Sequence, residues 1–557
     1  MKRISFLLAL CLLLASCGAA ATQTETVTPE GTTYEEEIPV LADAIAYSGT
    51  IQSAGVYRVT GNVTSPIVID AGNDDVVHLV LDNATIKTTD AAIYEKNAER
   101  VIVTLVGKNT VTDGARDEGD PDAAIYAQDT LVLRGDGSLT VTGNAKQGIA
   151  SKDRLIVLGG TLNVTAKNHG LRGRDGVLIT GGTSTVTAGG DAIQANQDED
   201  AAKGWVIVRG GTLKLTATDD GIQAATGVTV EGGHITVTAG GGASTTAQGE
   251  PMGGPGRGMG QGPMNGNGNA NSNVNSGTGQ LPQTRPARRQ DSGEAQTTTE
   301  DESKSAKGIS AGGAVLLSGG TVNLNAATEG VEGKTITMTG GTVTIRATDD
   351  GLNATAKTAD NMRMQEGVEV RITGGSLTVS AQGDGLDSNG DLILAGGTVT
   401  VNGPTSGGNS ALDSNGALTV TGGTLVAAGS LGMLELPDEN TTQPTLVVTF
   451  ATAPAVGTQV AVLDRAGKTV ATATPEKTFG ALIFSNASLQ KGATYTIESA
   501  GKTLCTATLS DTVTAIASDG STATIGQGGM GGGPRGERPA GGNRGTPPDG
   551  AQPNQTK

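Results

Sequence analysis

A pair of glycines followed by an alternating strand recurs along this chain at intervals of about 22 residues. The pairs begin at Gly159, Gly181, Gly210, Gly232, Gly319, Gly340, Gly374, Gly396 and Gly422. A unit of this size cannot bury an apolar face alone, but it can do so when similar units stack on one another. The repeat therefore predicts an elongated stack of short strands.

Within a unit, apolar and polar residues alternate with the period of a β-strand. In residues 219–239 this alternation places Ile222, Val228, Ile235 and Val237 on one face, within three short segments. The chain has 87 glycines in 557 residues and only 2% aromatic residues, which favours a narrow aliphatic interior. We predict an all-β fold, a right-handed parallel β-helix with three short strands per turn of about 22 residues. The alternative is a β-sandwich, but there the hairpin and not the whole unit would be the period.

Composition divides the chain into seven segments. We predict a lipoprotein signal peptide over 1–16, a lipid anchor and tether over 17–44, the N-terminal part of the β-helix over 45–240, a disordered insertion rich in Gly, Asn and Pro over 241–307, the C-terminal part of the β-helix over 308–440, a small β-rich segment over 441–525 and a disordered tail over 526–557. We expect the segment 441–525, which contains most of the phenylalanines, to cap the last turn of the stack and cover its open edge.

The N-terminus has the features of an export signal. Two basic residues precede an apolar run over residues 4–15, which is too short to cross a bilayer as a helix. The sequence LASC that ends at Cys17 resembles a bacterial lipobox, in which the cysteine receives a diacylglycerol group. An ordinary signal peptide that happens to contain a cysteine is the alternative. We predict a protein on the extracellular face of the bacterial envelope that contacts the membrane only through this lipid.

The net charge of −18 argues against nucleic acid and anionic membrane surfaces as partners, because both require a basic footprint. Acids recur at one corner of the repeat, and stacking would place them about 5 Å apart, where they repel unless a cation lies between them. Oxygen ligands of this kind suit Ca²⁺. The predicted calcium ligands are Asp191, Asp219, Asp220, Asp349, Asp350, Asp384, Asp387, Asn389 and Asp413. The alternative is that these residues only shape turns by capping their own backbone.

The sequence contains no recognisable catalytic set, and its three histidines are scattered without the spacing of metal ligands. Arg172 and Arg174 are candidate polysaccharide contacts, with surface arginine on a solvated face as the alternative. Trp205 is a third candidate because an exposed indole can serve as a sugar platform. It could equally pack over a turn at the start of a strand.

Several of these motifs together resemble the bacterial carbohydrate-binding β-helix lipoproteins. The similar stretches include VVHLVLDNATI, AAIYEKNAERVIVTLVGKNTVTDG, GIASKDRLIVLGGTLNVTAKNHGLRGRDGVLITGG and the ending FGALIFSNASLQKGATYTI. The resemblance covers about residues 45–505 apart from the insertion. It implies a right-handed β-helix shaped like a pectate lyase, bound calcium, and binding of cellulose-type and acidic pectic polysaccharides without demonstrated cleavage. The acids of TDDGI, TDDGL and GDGLDSNG match the family's acidic turn, whereas His169 departs from it.

The sequence therefore predicts a lipid-anchored, non-catalytic protein that binds polysaccharide at the cell surface along a calcium-stabilised β-helix. Two alternatives stay open. One is a polysaccharide lyase or hydrolase on the same scaffold, because a fold does not by itself fix a function. The other is a structural surface adhesin whose ligand is a protein. The sequence makes no prediction of the oligomeric state.

Overall fold

A computed structural model of the protein describes residues 45–47, 49–116, 121–244, 306–356, 363–523 and 525. The predicted signal peptide, the lipid anchor Cys17 with the whole tether, most of the insertion and the tail lie outside these ranges. The described residues form strands and turns and contain no α-helix, so the all-β prediction is confirmed. Among them there is also no helix of a length and apolarity that could cross a membrane.

The strands are short, and most have between three and seven residues. The strands before the insertion are β1 (Ile45–Ala46), β2 (Gly55–Val63), β3 (Ile67–Asp70), β4 (Val76–Lys87), β5 (Ile93–Asn97), β6 (Arg100–Val106), β7 (Lys108–Thr112), β8 (Ala123–Ala127), β9 (Thr130–Gly135), β10 (Ser138–Gly143), β11 (Gln147–Ser151), β12 (Arg154–Val157), β13 (Thr161–Ala166), β14 (Leu171–Gly173), β15 (Gly176–Ile179), β16 (Thr183–Ala188), β17 (Ile193–Ala195), β18 (Trp205–Val208), β19 (Thr212–Ala217), β20 (Ile222–Ala224), β21 (Gly227–Val230) and β22 (His234–Ala239). The strands that complete the stack are β23 (Ile309–Ala311), β24 (Ala314–Leu317), β25 (Thr321–Ala326), β26 (Val331–Gly333), β27 (Thr335–Met338), β28 (Thr342–Ala347), β29 (Leu352–Ala354), β30 (Glu369–Ile372), β31 (Ser376–Ala381), β32 (Leu386–Ser388), β33 (Asp391–Asn402), β34 (Leu412–Ser414) and β35 (Leu418–Gly429). The C-terminal strands are β36 (Thr445–Thr449), β37 (Val460–Leu463), β38 (Thr469–Ala473), β39 (Ala481–Ser485), β40 (Thr494–Ser499), β41 (Lys502–Thr508) and β42 (Val513–Ala517).

Long parallel sheets run along the stack. Sheet 1 has twelve strands in the order β3-β5-β8-β11-β14-β17-β20-β23-β26-β29-β32-β34. Sheet 2 has 26 strands and contains two parallel runs, one from β6 through β9 and β12 to β30, the other from β7 through β10 and β13 to β31. In each run a strand pairs in parallel with the strand three places further along the chain. These stacks are those of a β-helix-like fold.

The interior follows the predicted alternation. Ile222, Val228, Ile235 and Val237 are all buried in one continuous aliphatic core that extends along the stack. Successive coils meet in register, so that Val186 lies beside Leu215 and both point inward. Because the core is assembled from equivalent positions of neighbouring coils, no single unit encloses it.

Each Gly-Gly pair turns the chain between the two runs of sheet 2. In all nine pairs the second glycine has a positive φ, between 74° and 90°. A residue with a Cβ rarely adopts this conformation, which explains why glycine recurs there. The Gly-Gly repeat in the sequence therefore marks the position of this corner in each coil.

The C-terminal segment closes the stack. Its strand β39 pairs in antiparallel fashion with β35, the last long strand of the stack, and also with β36. A separate core forms behind this sheet, in which the rings of Phe450 and Phe479 pack edge to face with centroids 5.3 Å apart. Lys477 reaches back to the stack and donates hydrogen bonds to the carbonyls of Asn402 and Gly403, both at 3.3 Å. Antiparallel pairing at this end covers the edge that the last coil would otherwise expose.

The edges of the predicted insertion belong to the ordered stack. Residues 243 and 244 lie across successive coils, because the amide of Ala243 donates to Asn325 Oδ1 at 2.8 Å and that of Ser244 donates to Thr348 Oγ1 at 2.7 Å. On the other side, Lys307 occupies a regular corner position. Composition placed the boundaries at 241 and 307 because glycine and polar residues continue into these corners.

Candidate functional site

One line of side chains runs along the outer face of sheet 1. Each side chain points outward and belongs to the residue that directly follows the first inward residue of its strand. The register places it directly beside the equivalent residues of the neighbouring coils. We call this line the outer column. Its members are Tyr94, Tyr126, Ala150, Arg172, Gln194, Gln223, Ser310, Glu332, Asn353, Asp387 and Asp413. The column changes from aromatic and basic at one end, through amides, to acidic at the other.

The aromatic end of the outer column is a pair that sequence analysis missed. The rings of Tyr94 and Tyr126 meet edge to face with centroids 5.7 Å apart. The ammonium of Lys96 lies 5.7 Å from the centre of the Tyr94 ring, and that of Lys152 lies 5.8 Å from the centre of the Tyr126 ring. Both distances are within the range of cation–π attraction. The pairing depends on the in-register stacking of two coils whose sequences differ, so no short motif marks it.

A second line, the corner column, lies two residues before the first inward residue of each sheet 1 strand. Its members are Gln147, His169, Asp191, Asp220, Lys307, Glu329, Asp350, Asp384 and Ser410. Most of the acids predicted as calcium ligands therefore meet on one edge of the stack, in the corner column and in the acidic end of the outer column. Asp219 and Asp349 precede corner-column residues directly.

Aspartates of the corner column form a ladder with the backbone of the next coil. Asp191 Oδ1 accepts the amide N–H of Asp220 at 3.0 Å, and Asp220 Oδ1 accepts that of Lys307 at 2.8 Å. Asp350 Oδ1 accepts the amide N–H of Asp384 at 2.6 Å. One oxygen of each carboxylate thus joins two coils. This is a structural role between coils, whereas the alternative considered from sequence was a cap within one turn.

His169 takes the same place in the ladder through its imidazole ring. Its Nδ1 accepts the amide N–H of Asp191 at 3.1 Å, and its own amide donates to Gln147 Oε1 at 3.1 Å. The ring nitrogen therefore replaces a carboxylate oxygen without adding a negative charge at this coil.

Buried carboxylates crowd together toward the C-terminal end of this edge. Burial, with the nearby charges of Asp384 and Asp413, raises the pKa of Asp387 to about 8. Burial and the neighbouring Asp349 raise the pKa of Asp350 well above its ordinary value. Within the described residues, Asp350, Asp387 and Asp413 form no ion pair with a lysine or arginine. Loss of hydration and mutual repulsion both oppose their ionisation.

A buried lysine, Lys307, lies among the acids in the middle of the same edge. Lys307 Nζ lies 2.8 Å from Glu332 Oε2, and both side chains are largely buried. Burial still raises the pKa of Asp220, which lies beside Lys307, to about 7. A lysine thus partly compensates the acids in this coil, whereas among the described residues no lysine or arginine forms an ion pair with Asp387 itself. Neither Lys307 nor Glu332 belongs to a recurring motif, so the sequence did not mark them.

Glu435 follows the last Gly-Gly repeat in the sequence and adds a further carboxylate to the acidic end of the outer column. Its Oε2 accepts the amide N–H of Ser414 and its Oε1 accepts the hydroxyl of Ser414, both at 2.8 Å. Burial raises the pKa of Glu435 to about 7, and Asp413 beside it also has a raised pKa because of burial. Glu435 was missed because it follows the last Gly-Gly unit, where the periodic pattern ends.

The geometry around Gly383 shows how far these acids fit a cation. A Cβ on Gly383 would lie 2.5 Å from Oδ1 of both Asp349 and Asp350, so the glycine leaves open a space that two carboxylates border. Among the described residues, no three side chains of His, Cys, Asp or Glu are already arranged around a common metal position. The donor types suit Ca²⁺, which also accepts carbonyl and water oxygens. The residues present therefore fit a calcium ion by charge and donor chemistry, with ligands beyond the carboxylates needed to complete its shell.

Asn389 lies apart from this acidic edge. It follows β32 at the opposite end of the strand, where its amide oxygen accepts the Nδ2 of Asn415 at 2.9 Å. Its own Nδ2 donates to the carbonyl of Ala354 at 3.4 Å. The side chain is thus engaged in an amide ladder between coils.

The three predicted polysaccharide contacts do not form one site. Trp205 is only 5% exposed, and its indole packs over Gly176 and against Leu178 and Ile207. Its ring is therefore not offered as a sugar platform, because it fills the space that the absence of a side chain at Gly176 provides. Arg172 belongs to the outer column and donates to Asn196 Oδ1 at 3.3 Å.

Arg174 lies at the end of β14, with its guanidinium 3.9 Å from both Asp175 and Glu199. It faces the loop that precedes β18, where the cluster Asp198-Glu199-Asp200 stands. Arg172 is thus the one predicted contact that the fold places in line with other outward side chains of sheet 1.

Glu95 is a further buried acid outside both columns. Its Oε2 accepts the amide N–H groups of Gln128 and Asp129 at 2.8 and 3.0 Å, and it is 1% exposed. Burial raises its pKa to about 7. The hydrogen bonds hold two coils together, as the corner column does elsewhere.

Comparison with known proteins places this geometry in a family. A family described as "Carbohydrate-binding domain-containing protein" matches residues 48–351 of the 557 in the chain. A protein of the same description from Acetivibrio thermocellus is 36% identical over 126 residues, which are 21% of this chain and 44% of that protein. The chain therefore spans less than half the length of this curated relative.

One solved structure is also similar in sequence. It is described as the polysaccharide lyase-like protein from C. thermocellum, a gadolinium derivative, and it is 36% identical. The match covers 34% of this chain and 82% of that one, with a TM-score of 0.34. Because the family match extends over more than half of the sequence and includes most of the parallel stack, the chain belongs to the family of carbohydrate-binding domain-containing proteins.

Proposed function

We propose that this protein binds polysaccharide along its parallel stack without cleaving it, and that it does so on the extracellular face of the bacterial envelope. The observation that carries the proposal is the family match over residues 48–351, a range that contains most of the in-register columns of outward side chains. A polymer lying along the stack would meet an equivalent position at each coil, about every 4.8 Å. Such repetition suits a ligand that is itself a repeating chain.

We further propose that the stack is a right-handed β-helix with three strands per turn. The pairing of each strand with the third strand after it supports this arrangement. Parallel strands joined by crossover connections are right-handed in nearly all proteins, which supports the hand.

Calcium is the ion that we propose for the acidic edge. Asp349, Asp350, Asp384, Asp387 and Asp413 would hold it, with Glu435 as a missed contributor. When bound, the cation would neutralise carboxylates that repel one another, and it could also join the protein to an acidic glycan. The raised pKa values of Asp350 and Asp387 support the proposal, because they show how poorly the protein alone solvates these charges. Asn389 is not part of this proposed set.

Retention on immobilised glycans tests the main proposal. We expect the purified full chain to be retarded in gels containing polygalacturonate or hydroxyethyl cellulose, and retention on polygalacturonate to weaken at least tenfold in EDTA. No retention on a broad panel of glycans, with or without calcium, would contradict polysaccharide binding. Formation of unsaturated or newly reducing products would instead support the lyase or hydrolase alternative, and binding to cells that survives glycan removal would support the adhesin alternative.

Envelope attachment through Cys17 is tested by Cys17→Ser. In a bacterial host with lipoprotein processing, we expect the wild-type chain in the membrane fraction after a high-salt wash, and the variant in the soluble fraction or unprocessed. Cys505→Ser is the matched control, because Cys505 is buried in the C-terminal segment and should not affect fractionation. Equal membrane retention of Cys17→Ser and wild type would contradict lipidation at this residue.

A further inference from the structure

A line of apolar side chains lies on the outer face of sheet 2, where the alternation along the strands leads one to expect residues that meet water. We call it the apolar strip. It consists of one outward residue from each of five successive coils, in β6, β9, β12, β15 and β18, and the register places each beside the next: Ile102, Val132, Ile156, Leu178 and Ile207. Val101 and Val103, on either side of the first member, belong to the core of the stack, whereas the strip forms a separate apolar cluster with Trp205.

The apolar strip is buried although it faces outward. Its five side chains are between 0% and 3% exposed. Leu316 and Ile393 occupy the same position in later coils and are half-buried, so stacking between coils does not by itself bury a residue there. A buried apolar row outside the core is typical of a surface on which another segment docks.

Arginines border the apolar strip on both sides. Arg100 and Arg154 lie two residues before members of the strip, and Arg134 and Arg209 lie two residues after members. Arg154 Nε is 3.7 Å from Asp153 Oδ2, but a guanidinium group has five N–H donors and can bind more than one carboxylate. The surface therefore suits a segment that combines apolar side chains with acids.

The chain contains such a segment directly before its first strand. Residues 34–44, which lie outside the described residues, read YEEEIPVLADA. Three glutamates at positions 35–37 precede the apolar residues Ile38, Val40 and Leu41. Pro39 between them has a φ that suits an extended chain and lacks the amide hydrogen that a central strand needs. The sequence thus favours an extended segment that packs through its side chains.

The position of β1 allows this segment to reach the apolar strip. Ile45 pairs with Tyr57, Tyr57 pairs with Leu79, and β4 pairs with β6, so the chain enters the stack on the run of sheet 2 that carries the strip. Seven strand steps of about 4.8 Å separate β1 from β18, a distance of about 34 Å. Eleven extended residues span about 36 Å. Residues 34–44 are therefore long enough to follow the whole strip.

We propose that residues 34–44 dock along the apolar strip as an extended strap. Ile38, Val40 and Leu41 pack on the strip, and the glutamates pair with the arginines that border it. The proposal concerns the attachment of the stack and goes beyond polysaccharide binding. With Cys17 as the proposed anchor, docking leaves only residues 17–33 as free tether, so the strap holds the stack closer to the lipid.

Amide hydrogen exchange of the purified full chain, followed by mass spectrometry, tests the strap. The protection factors of residues 34–44 are compared with those of residues 19–31, which belong to the same tether and serve as the internal reference. Arg134→Glu combined with Arg154→Glu makes the border of the strip repel the glutamates. Melting temperatures confirm that each variant is folded.

Two further variants control for the change of charge. Arg346→Glu is the matched single change, because Arg346 is an exposed arginine on the later part of the stack. Glu36→Arg and Glu37→Arg, added to the double arginine variant, exchange the charges of strap and border and should restore their attraction.

We expect protection of residues 34–44 in the wild-type protein to exceed that of residues 19–31 at least tenfold. The double arginine variant should lose most of this difference, Arg346→Glu should keep it, and the charge exchange should recover protection to within about threefold of wild type. Equal exchange of the two segments in the wild-type protein, or protection that the double variant leaves unchanged, would overturn the strap. A dimer that Ile156→Asp dissociates would also overturn it, because a second copy would then cover the strip.

Discussion

In the presence of EDTA, the melting temperature of this protein should fall by about 5–10 °C as the pH rises from 5 to 8. Asp387 has a folded-state pKa of about 8 and Asp220 one of about 7, against ordinary values of 3.8. Glu435 has a pKa of about 7 against 4.5. Folding therefore binds protons between pH 4 and pH 8.

The sign follows from linkage. A carboxyl group whose pKa is higher in the folded state stabilises the fold most below its unfolded pKa, and this contribution is lost as the pH rises through the folded pKa. Each unit of pKa difference corresponds to about 1.4 kcal/mol, so several such groups have a large combined effect. Calcium at the acidic edge would oppose the loss, because it binds the ionised carboxylates of the folded state only.

Thermal unfolding followed by circular dichroism, at pH 5, 6, 7 and 8, in EDTA and in 2 mM calcium, measures both effects. We expect calcium to raise the melting temperature at pH 8 and to have little influence at pH 5. Asp387→Asn should flatten the dependence on pH in EDTA, whereas Asp511→Asn, at an exposed position, should leave it unchanged. A melting temperature that is constant from pH 5 to 8 in EDTA would show that these acids are not buried as described.

Gly221→Ala should lower the free energy of unfolding by about 1–3 kcal/mol through the addition of one methyl group. A Cβ at Gly221 would lie 2.1 Å from Val237 Cγ1 and 2.7 Å from the carbonyl oxygen of Gly308. The first contact is with a stiff β-branched side chain and the second with backbone, so neither can move aside easily. Gly159→Ala is the matched control, because its new Cβ would meet only the carbonyl of Gly135, at 3.5 Å.

A second substitution at the facing position should restore part of the stability that Gly221→Ala removes. Gly170 faces Val186 and Gly330 faces Ile345 in the same way, whereas the coil with Ala192 at this corner has Leu215 at the facing position. A leucine branches one carbon further out and leaves room near its Cβ. Gly221→Ala combined with Val237→Leu should therefore recover part of the stability lost in the single variant. Urea unfolding of the three variants measures this coupling, and a double variant less stable than Gly221→Ala alone would refute the explanation.

Sequence periodicity was most informative where one coil repeats the next. The interior positions Ile222 and Val237, and the turn glycines, could be predicted because burial and positive φ impose the same residue type at each coil. The acids of the TDDG corners could be located for the same reason. The role of these acids could not be predicted, because the hydrogen bond that the amide of Lys307 donates to Asp220 joins residues that lie on either side of most of the insertion.

Side chains that do not follow the repeat could not be assigned to a site from the sequence. Glu435 follows the last unit and Lys307 is the last residue of the predicted insertion, yet both join the acidic edge because the stacked coils place them in register with it. Trp205 is hidden because Gly176, one coil earlier, leaves a space that its ring fills. Each of these outcomes depends on a neighbour more than twenty residues away in the sequence. A local sequence pattern carries no information about such a neighbour.

The sequence by itself determined the period of the chain, the inward and outward alternation and the acidic corner, because each is imposed within one coil by glycine geometry and by the burial of apolar side chains. Only the tertiary structure decided which side chains form columns and which carboxylates share an edge. The physical reason is that strand stacking brings equivalent positions to about 4.8 Å from one another, so charge and hydrogen bonding are settled between coils and not within them.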